Sequence, residues 1–124
     1  MSQSVDLVIV VKGMSDLLAA IVEGGLTHEE QREFRAQDGH THAVDLVVRD
    51  EAGTRVGVKV DARTGTATFV GHDASGRAKA LANRVAQRYA YSKVTQELKR
   101  KGYQIAKEET QKDGTIKLVA QRWR

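Results

Sequence analysis

Histidine is the residue type here with metal-ligand spacing. His40 and His42 stand one residue apart in Asp38-Gly39-His40-Thr41-His42; His28 precedes them and His72-Asp73 follows. On an extended strand the side chains at i and i+2 share a face, so two such imidazoles can share a cation when a third ligand converges. His40, His42, His72 and Asp73 are therefore the candidate ligands, and a metal-dependent enzyme is the function they would serve. A glycine turn carrying polar side chains into a strand explains the same residues without a metal. We adopt that plainer reading and expect neither metal nor cofactor.

Basic residues form the second pattern. Arg77, Arg84, Arg88 and Lys99 fall within about 60° of one another on an ideal helix. Such a stripe can neutralise phosphates. Its edge overlaps Leu81, however, and a chain with 5% aromatic residues lacks the repeated rings that stack unpaired bases. Nucleic-acid affinity is expected to be weak and nonspecific. Trp123, between Arg122 and Arg124, reads as a packed terminal residue before a stacking platform. Gly13 lacks the glycine pattern and Lys-Ser/Thr of a phosphate loop and reads as a turn. Glu29, Glu30 and Glu33 have no apolar surroundings to raise a carboxyl pKa for acid–base work. No Ser/His/Asp nucleophile motif is present, and a chain without cysteine has no thiolate zinc site or thiol nucleophile. No catalytic residue is expected.

The net charge of +4 hides an asymmetry: residues 1–62 sum to −5 and residues 63–124 to +9. Either the halves complement each other internally or the C-terminal half meets an acidic partner. The N-terminus lacks the basic region of a signal peptide, and the apolar run Leu7 to Val11 is too short for a signal or a membrane span. A cytoplasmic protein with no membrane contact is expected.

These side chains need elements to hold them. A length of 124 residues with 40% hydrophobic and 29% charged residues suits one globular domain, and no proline or linker divides it. Val5 to Val11 has apolar side chains on both parities and reads as a central strand buried on both faces. After Gly13, Ser15 can cap a helix from Asp16 to about Glu23, with Leu17, Leu18, Ile21 and Val22 as its apolar stripe. Thr27 and Glu30 fit a capping box, yet the run to Gln37 has few apolar residues.

From His42 the period becomes two. Val44, Leu46 and Val48, then Val56, Val58 and Val60, mark strands; turns at Glu51-Ala52-Gly53-Thr54 and Arg63-Thr64-Gly65-Thr66 lead to a third strand, Ala67 to His72. Ser75 to Lys101 is a long helix closed by Gly102. Leu81, Val85 and Tyr89 occupy a different sector from Val94 and Leu98, so the helix bends or covers two surfaces in succession. Tyr103 to Glu109 and Ile116 to Trp123 flank Lys112-Asp113-Gly114 as a final hairpin.

Gln87-Arg88-Tyr89-Ala90-Tyr91-Ser92-Lys93-Val94, Gly102-Tyr103, Glu108-Glu109, Asp113 to Val119 and Trp123 resemble the C-terminal signature of a domain-of-unknown-function family. That family includes a conserved hypothetical protein encoded in algal chloroplasts and in cyanobacteria. The likeness is good over residues 83–124, moderate from Val44 to Val70 and weak before residue 40. It implies an α+β fold, makes Thr27 to Gln37 extended, and carries a loose link to AAA-type ATPases. It transfers no catalytic residue.

The expected fold is a single α+β domain, residues 1–124. A mainly antiparallel sheet of six to seven strands carries two helices on one face, in the order β-α-(β)-β-β-β-α-β-β. The expected function is a non-enzymatic binding or adaptor domain in a protein assembly, with Arg77, Arg84, Arg88 and Lys99 toward an acidic protein surface. That surface would belong to an AAA-type ATPase or to another copy of the chain. Nonspecific nucleic-acid binding by the helix of residues 75–101 and a metal-dependent enzyme built on His40, His42 and His72 are the alternatives.

Overall fold

The computed structural model describes residues 3–73, 75–110 and 116–122. In chain order these form β1 (Gln3–Val10), α1 (Met14–Glu23), β2 (Thr27–Glu30), β3 (Glu33–Arg35), β4 (Thr41–Ala43), β5 (Leu46–Arg49), β6 (Arg55–Asp61), β7 (Thr66–Asp73), α2 (Arg77–Arg100), β8 (Tyr103–Thr110) and β9 (Ile116–Arg122). The expected turn at Lys112-Asp113-Gly114 and Trp123 lie outside the described residues.

Every strand pairing is antiparallel. A five-stranded sheet in the order β1-β7-β6-β5-β2 is accompanied by two separate hairpins, β3–β4 and β8–β9. The α+β, antiparallel character expected from the sequence is therefore present, with the strands shared among three sheets instead of one. Thr27–Glu30 is extended, as the resemblance implied.

The β5–β6–β7 meander follows from period-two alternation. Val48, Val56, Val58 and Phe69 are fully buried, and each such side chain is worth about 1.5–3 kcal/mol when removed from water. The chain reaches β7 through Gly65, whose φ of 69° is one an L side chain rarely adopts. Its carbonyl accepts the Val11 N–H at 2.9 Å and so ties the end of β1 to this turn.

Both helices cover one face of the sheet. In α1, Leu17, Ala20 and Ile21 are buried at helical spacing. Ser15 does not cap it: the N-cap is Gly13, with no side-chain cap hydrogen bond. In α2, Ala78, Leu81, Ala82, Val85 and Tyr89 join the same core as Leu17 and Phe69. Past Ser92 the helix leaves this core, Val94 is 49% exposed, and α2 also packs against β8 and β9. It covers two surfaces in succession.

One expectation fails. β1 is an edge strand, with β7 as its sole partner among the described residues. Val5 is buried, and Leu7 and Ile9 pack against the core, but Val8 and Val10 are 55% and 78% exposed. Apolar residues on both parities arise here because one parity faces the helices while the other is left uncovered.

The opposite face of the sheet is covered in part by the β3–β4 hairpin. Phe34, Ala36, Val44 and Val47 form a second small core there, joined by Val70. Gly57 lies beneath them, leaving room for Val44, Val70 and Phe34.

Candidate functional site

The turn between β3 and β4 places Asp38 among the histidines. Its Oδ1 accepts the His40 N–H at 3.0 Å, and its Oδ2 lies 2.9 Å from His40 Nδ1 and 3.6 Å from His72 Nδ1. The His40 hydrogen bond holds the Asp38 carboxyl below its usual range, and the same bond raises the His40 imidazole above its own. His42 sits apart, half-buried and paired across the hairpin with Phe34. His28 is exposed on β2. The Asp73 side chain lies outside the described set. Among the described residues, no group of three or more His, Asp or Glu side chains has metal-holding geometry. Two of the expected ligands, His40 and His72, do converge, but on a carboxylate that the sequence pattern had not singled out.

Beside His72 opens a cavity of about 270 Å³. Phe34 and Arg35 of β3, Arg55 of β6, His72 of β7, Ser75 and Arg77 line it, with the β5–β6 turn as a further wall. Asp50 shapes that turn, its Oδ1 accepting the Ala52 and Thr54 N–H groups at 3.0 and 2.9 Å. Arg55 lies over the Phe34 ring, 5.6 Å from its centre. Among the described residues that line it, none is acidic.

The four basic residues expected to share a surface have different surroundings along α2. Arg77 lines the cavity at the start of α2. Arg84 reaches Glu51 Oε1 at 2.8 Å through Nη1 and the Gly24 carbonyl at 2.9 Å through Nη2, so it closes the C-terminal end of α1. That contact holds the Glu51 carboxyl below its usual range. Arg88 lies over the Tyr91 ring at 4.6 Å, and its stem lies against Gly24. Lys99 is exposed near the far end of the helix.

The uncovered end of the outer sheet face is the remaining feature. Val8, Thr68 and Lys59 are register partners across β1, β7 and β6, and form one row. Lys59 is exposed, as is Lys12 just past the strand. Because the Val11 N–H points to Gly65, the backbone groups of Val10 and Val8 point away from β7, by the alternation of an antiparallel strand. The Lys12 N–H, on the same outward side, donates to Tyr89 Oη at 2.9 Å and ends the free edge.

Sequence reasoning missed Arg35, Arg55 and Asp38. Their convergence depends on where the three-residue strand β3 lies, for which the local pattern holds no signal.

Among protein-family models, one described as "Protein of unknown function (DUF1257)" matches residues 20–119. Among curated proteins, "Uncharacterized protein ycf35" of Pyropia yezoensis is 42% identical over 41 residues, which is 33% of this chain and 32% of that protein. The protein of the same name from Cyanophora paradoxa is 50% identical over 38 residues, 31% of this chain and 30% of that one. The matched stretch thus spans about a third of these relatives' length. No solved structure matches.

Proposed function

The chain belongs to the family described as "Protein of unknown function (DUF1257)", and within it we propose a non-enzymatic adaptor role: the domain takes an extended acidic segment of a partner protein onto the open edge of β1. The observation that carries this reading is that edge. Val8 and Val10 are exposed beside outward-pointing backbone groups, the combination that strand addition uses: main-chain hydrogen bonds for affinity and alternate side chains for specificity. Lys12, exposed just past the two valines at the end of the same strand, favours acidic side chains on the added strand, while Lys59 lies inward, across β7. Arg84 and Arg88, engaged against the end of α1, weigh against a nucleic-acid interface on α2. An AAA-type ATPase is the first partner class to look for, on the strength of the resemblance alone.

A photo-crosslinker at Val10 of the intact protein, in its native cells, tests the reading. Capture of a protein through an acidic, extended stretch is expected. Val8→Pro should abolish capture without unfolding the domain, because the outward Val8 N–H makes no bond to β7 and proline is tolerated at such an edge position. Unchanged capture by Val8→Pro, crosslinks confined to a second copy, or no capture at all would each refute it.

A further inference from the structure

We propose that the cavity at the start of α2 binds a tetrahedral phosphate dianion, free or as the head of a small phosphate monoester. The cavity is lined by arginines that the chain places far apart. Arg35 comes from β3, Arg55 from the start of β6 and Arg77 from the first residue of α2. None of the three has a carboxylate partner among the described residues, whereas Arg84 and Arg100 each have one. Like charges around one concavity repel each other, and an anion in their midst removes that cost. Planar guanidinium forks suit the oxygens of a phosphate better than a lone spherical anion.

The other polar groups fit the same ligand. Ser75 brings a hydroxyl to the wall and His72 an imidazole. Asp38, the carboxylate that reaches His72, is itself hydrogen-bonded by His40. The N-terminus of α2 adds to the field: its N-cap is Gly76, the Ser75 hydroxyl accepts the Arg77 N–H there at 3.4 Å, and its first turn carries no acidic residue.

Size limits the occupant. Sites for drug-sized ligands run from about 300 to 1,000 Å³, and this cavity holds about 270 Å³. A phosphate with a short neutral body fits this volume. Ala52, Gly53 and Thr54, which also line the cavity, offer small side chains to that body.

Calorimetric titration of the intact protein with inorganic phosphate and with glycerol 3-phosphate, at ionic strength held constant with sodium chloride, is the test. Saturable binding of at least one is expected. Tighter binding of the ester identifies a phosphate monoester as the occupant, and tighter binding of phosphate identifies the free ion. Arg35→Gln with Arg77→Gln should weaken binding at least about tenfold, since each removes a charge-assisted hydrogen bond. Both side chains are exposed, so the fold should survive, as circular dichroism will check; if it does not, Ser75→Glu, which brings a carboxylate to the wall, takes their place. Lys99→Gln, an exposed cation outside the cavity, should leave binding unchanged. No saturable binding of either anion would overturn the proposal. So would equal loss in Lys99→Gln, or full binding in the double arginine variant.

Discussion

Replacing Gly57 with alanine tests how the β3–β4 hairpin is seated, and with it the position of everything the hairpin carries. A Cβ at Gly57 would stand 2.8 Å from Val44 Cγ1, 3.0 Å from Val70 Cγ2 and 3.1 Å from Phe34 Cδ2. Carbon atoms prefer separations of about 3.5–4.0 Å, so all three side chains must retreat together. Gly57 is not among the positive-φ glycines, and the cost is one of space, not of backbone strain. Overpacking a filled core costs about 1–3 kcal/mol. Alanine returns about 0.5–1 kcal/mol, because glycine gives up more chain freedom on folding. The net expectation is a destabilisation of about 0.5–2 kcal/mol, read as a lower urea midpoint at unchanged slope. Val44 supplies the nearest methyl, so Val44→Ala should make room. In the double variant, the two losses should fall short of additivity by about 1 kcal/mol. A Gly57→Ala protein as stable as wild type, or strict additivity with Val44→Ala, would show that the hairpin does not rest on Gly57.

Arg84→Ala should cost about 1 kcal/mol, most of it from the lost charged hydrogen bond to the Gly24 carbonyl, while Glu51→Ala costs less because an exposed ion pair contributes little; equal losses in urea melts would contradict this division. The raised His40 pKa means that its stabilising contribution is complete below the ordinary 6.5 and fades as pH rises through the elevated value. The lowered Asp38 pKa means that its contribution is complete above the ordinary 3.8 and fades as pH falls through the depressed value. The turn that braces His72 is therefore firmest between those limits. In an NMR titration the His40 midpoint should lie above that of free histidine and drop in Asp38→Asn; an identical midpoint in both proteins would refute the pairing.

What the sequence could show was set by range. The β5–β6–β7 meander was legible because its alternation and its turn glycines, Gly53 and Gly65 with φ of 87° and 69°, are local properties. That α2 must either bend or cover two surfaces was legible for the same reason, since the change of sector after Tyr89 is written in the helical spacing. β1 was misplaced because side-chain parity reports polarity and not neighbours: Val8 and Val10 look like core until one sees that nothing among the described residues covers them. The basic stripe is a different case. A helical wheel put Arg84 and Arg88 side by side, but it could not show that α1 ends at Gly24 directly against them. Leu81, at the edge of that stripe, was the local hint that part of it borders a buried face.

The hairpin β3–β4 links the second core to the cavity through consecutive residues. Phe34 packs over Gly57 and Arg35 reaches the cavity. Four residues after Phe34, Asp38 reaches His72 on β7. The seat of Phe34 therefore sets how far Arg35 stands from Arg55 and Arg77. An anion held by all three would clamp the hairpin to the sheet, and binding to the folded state alone would raise stability by about 2.7 kcal/mol at a hundredfold excess over the dissociation constant. The edge of β1 is positioned independently. Val8 and Val10 pair with Thr68 and Thr66, at the opposite end of β7 from His72. An edge variant such as Val8→Pro should therefore leave anion binding intact, and cavity variants should leave strand addition intact. A loss shared by both would mean that the two surfaces form one site, and the division of labour drawn between them would have to be abandoned.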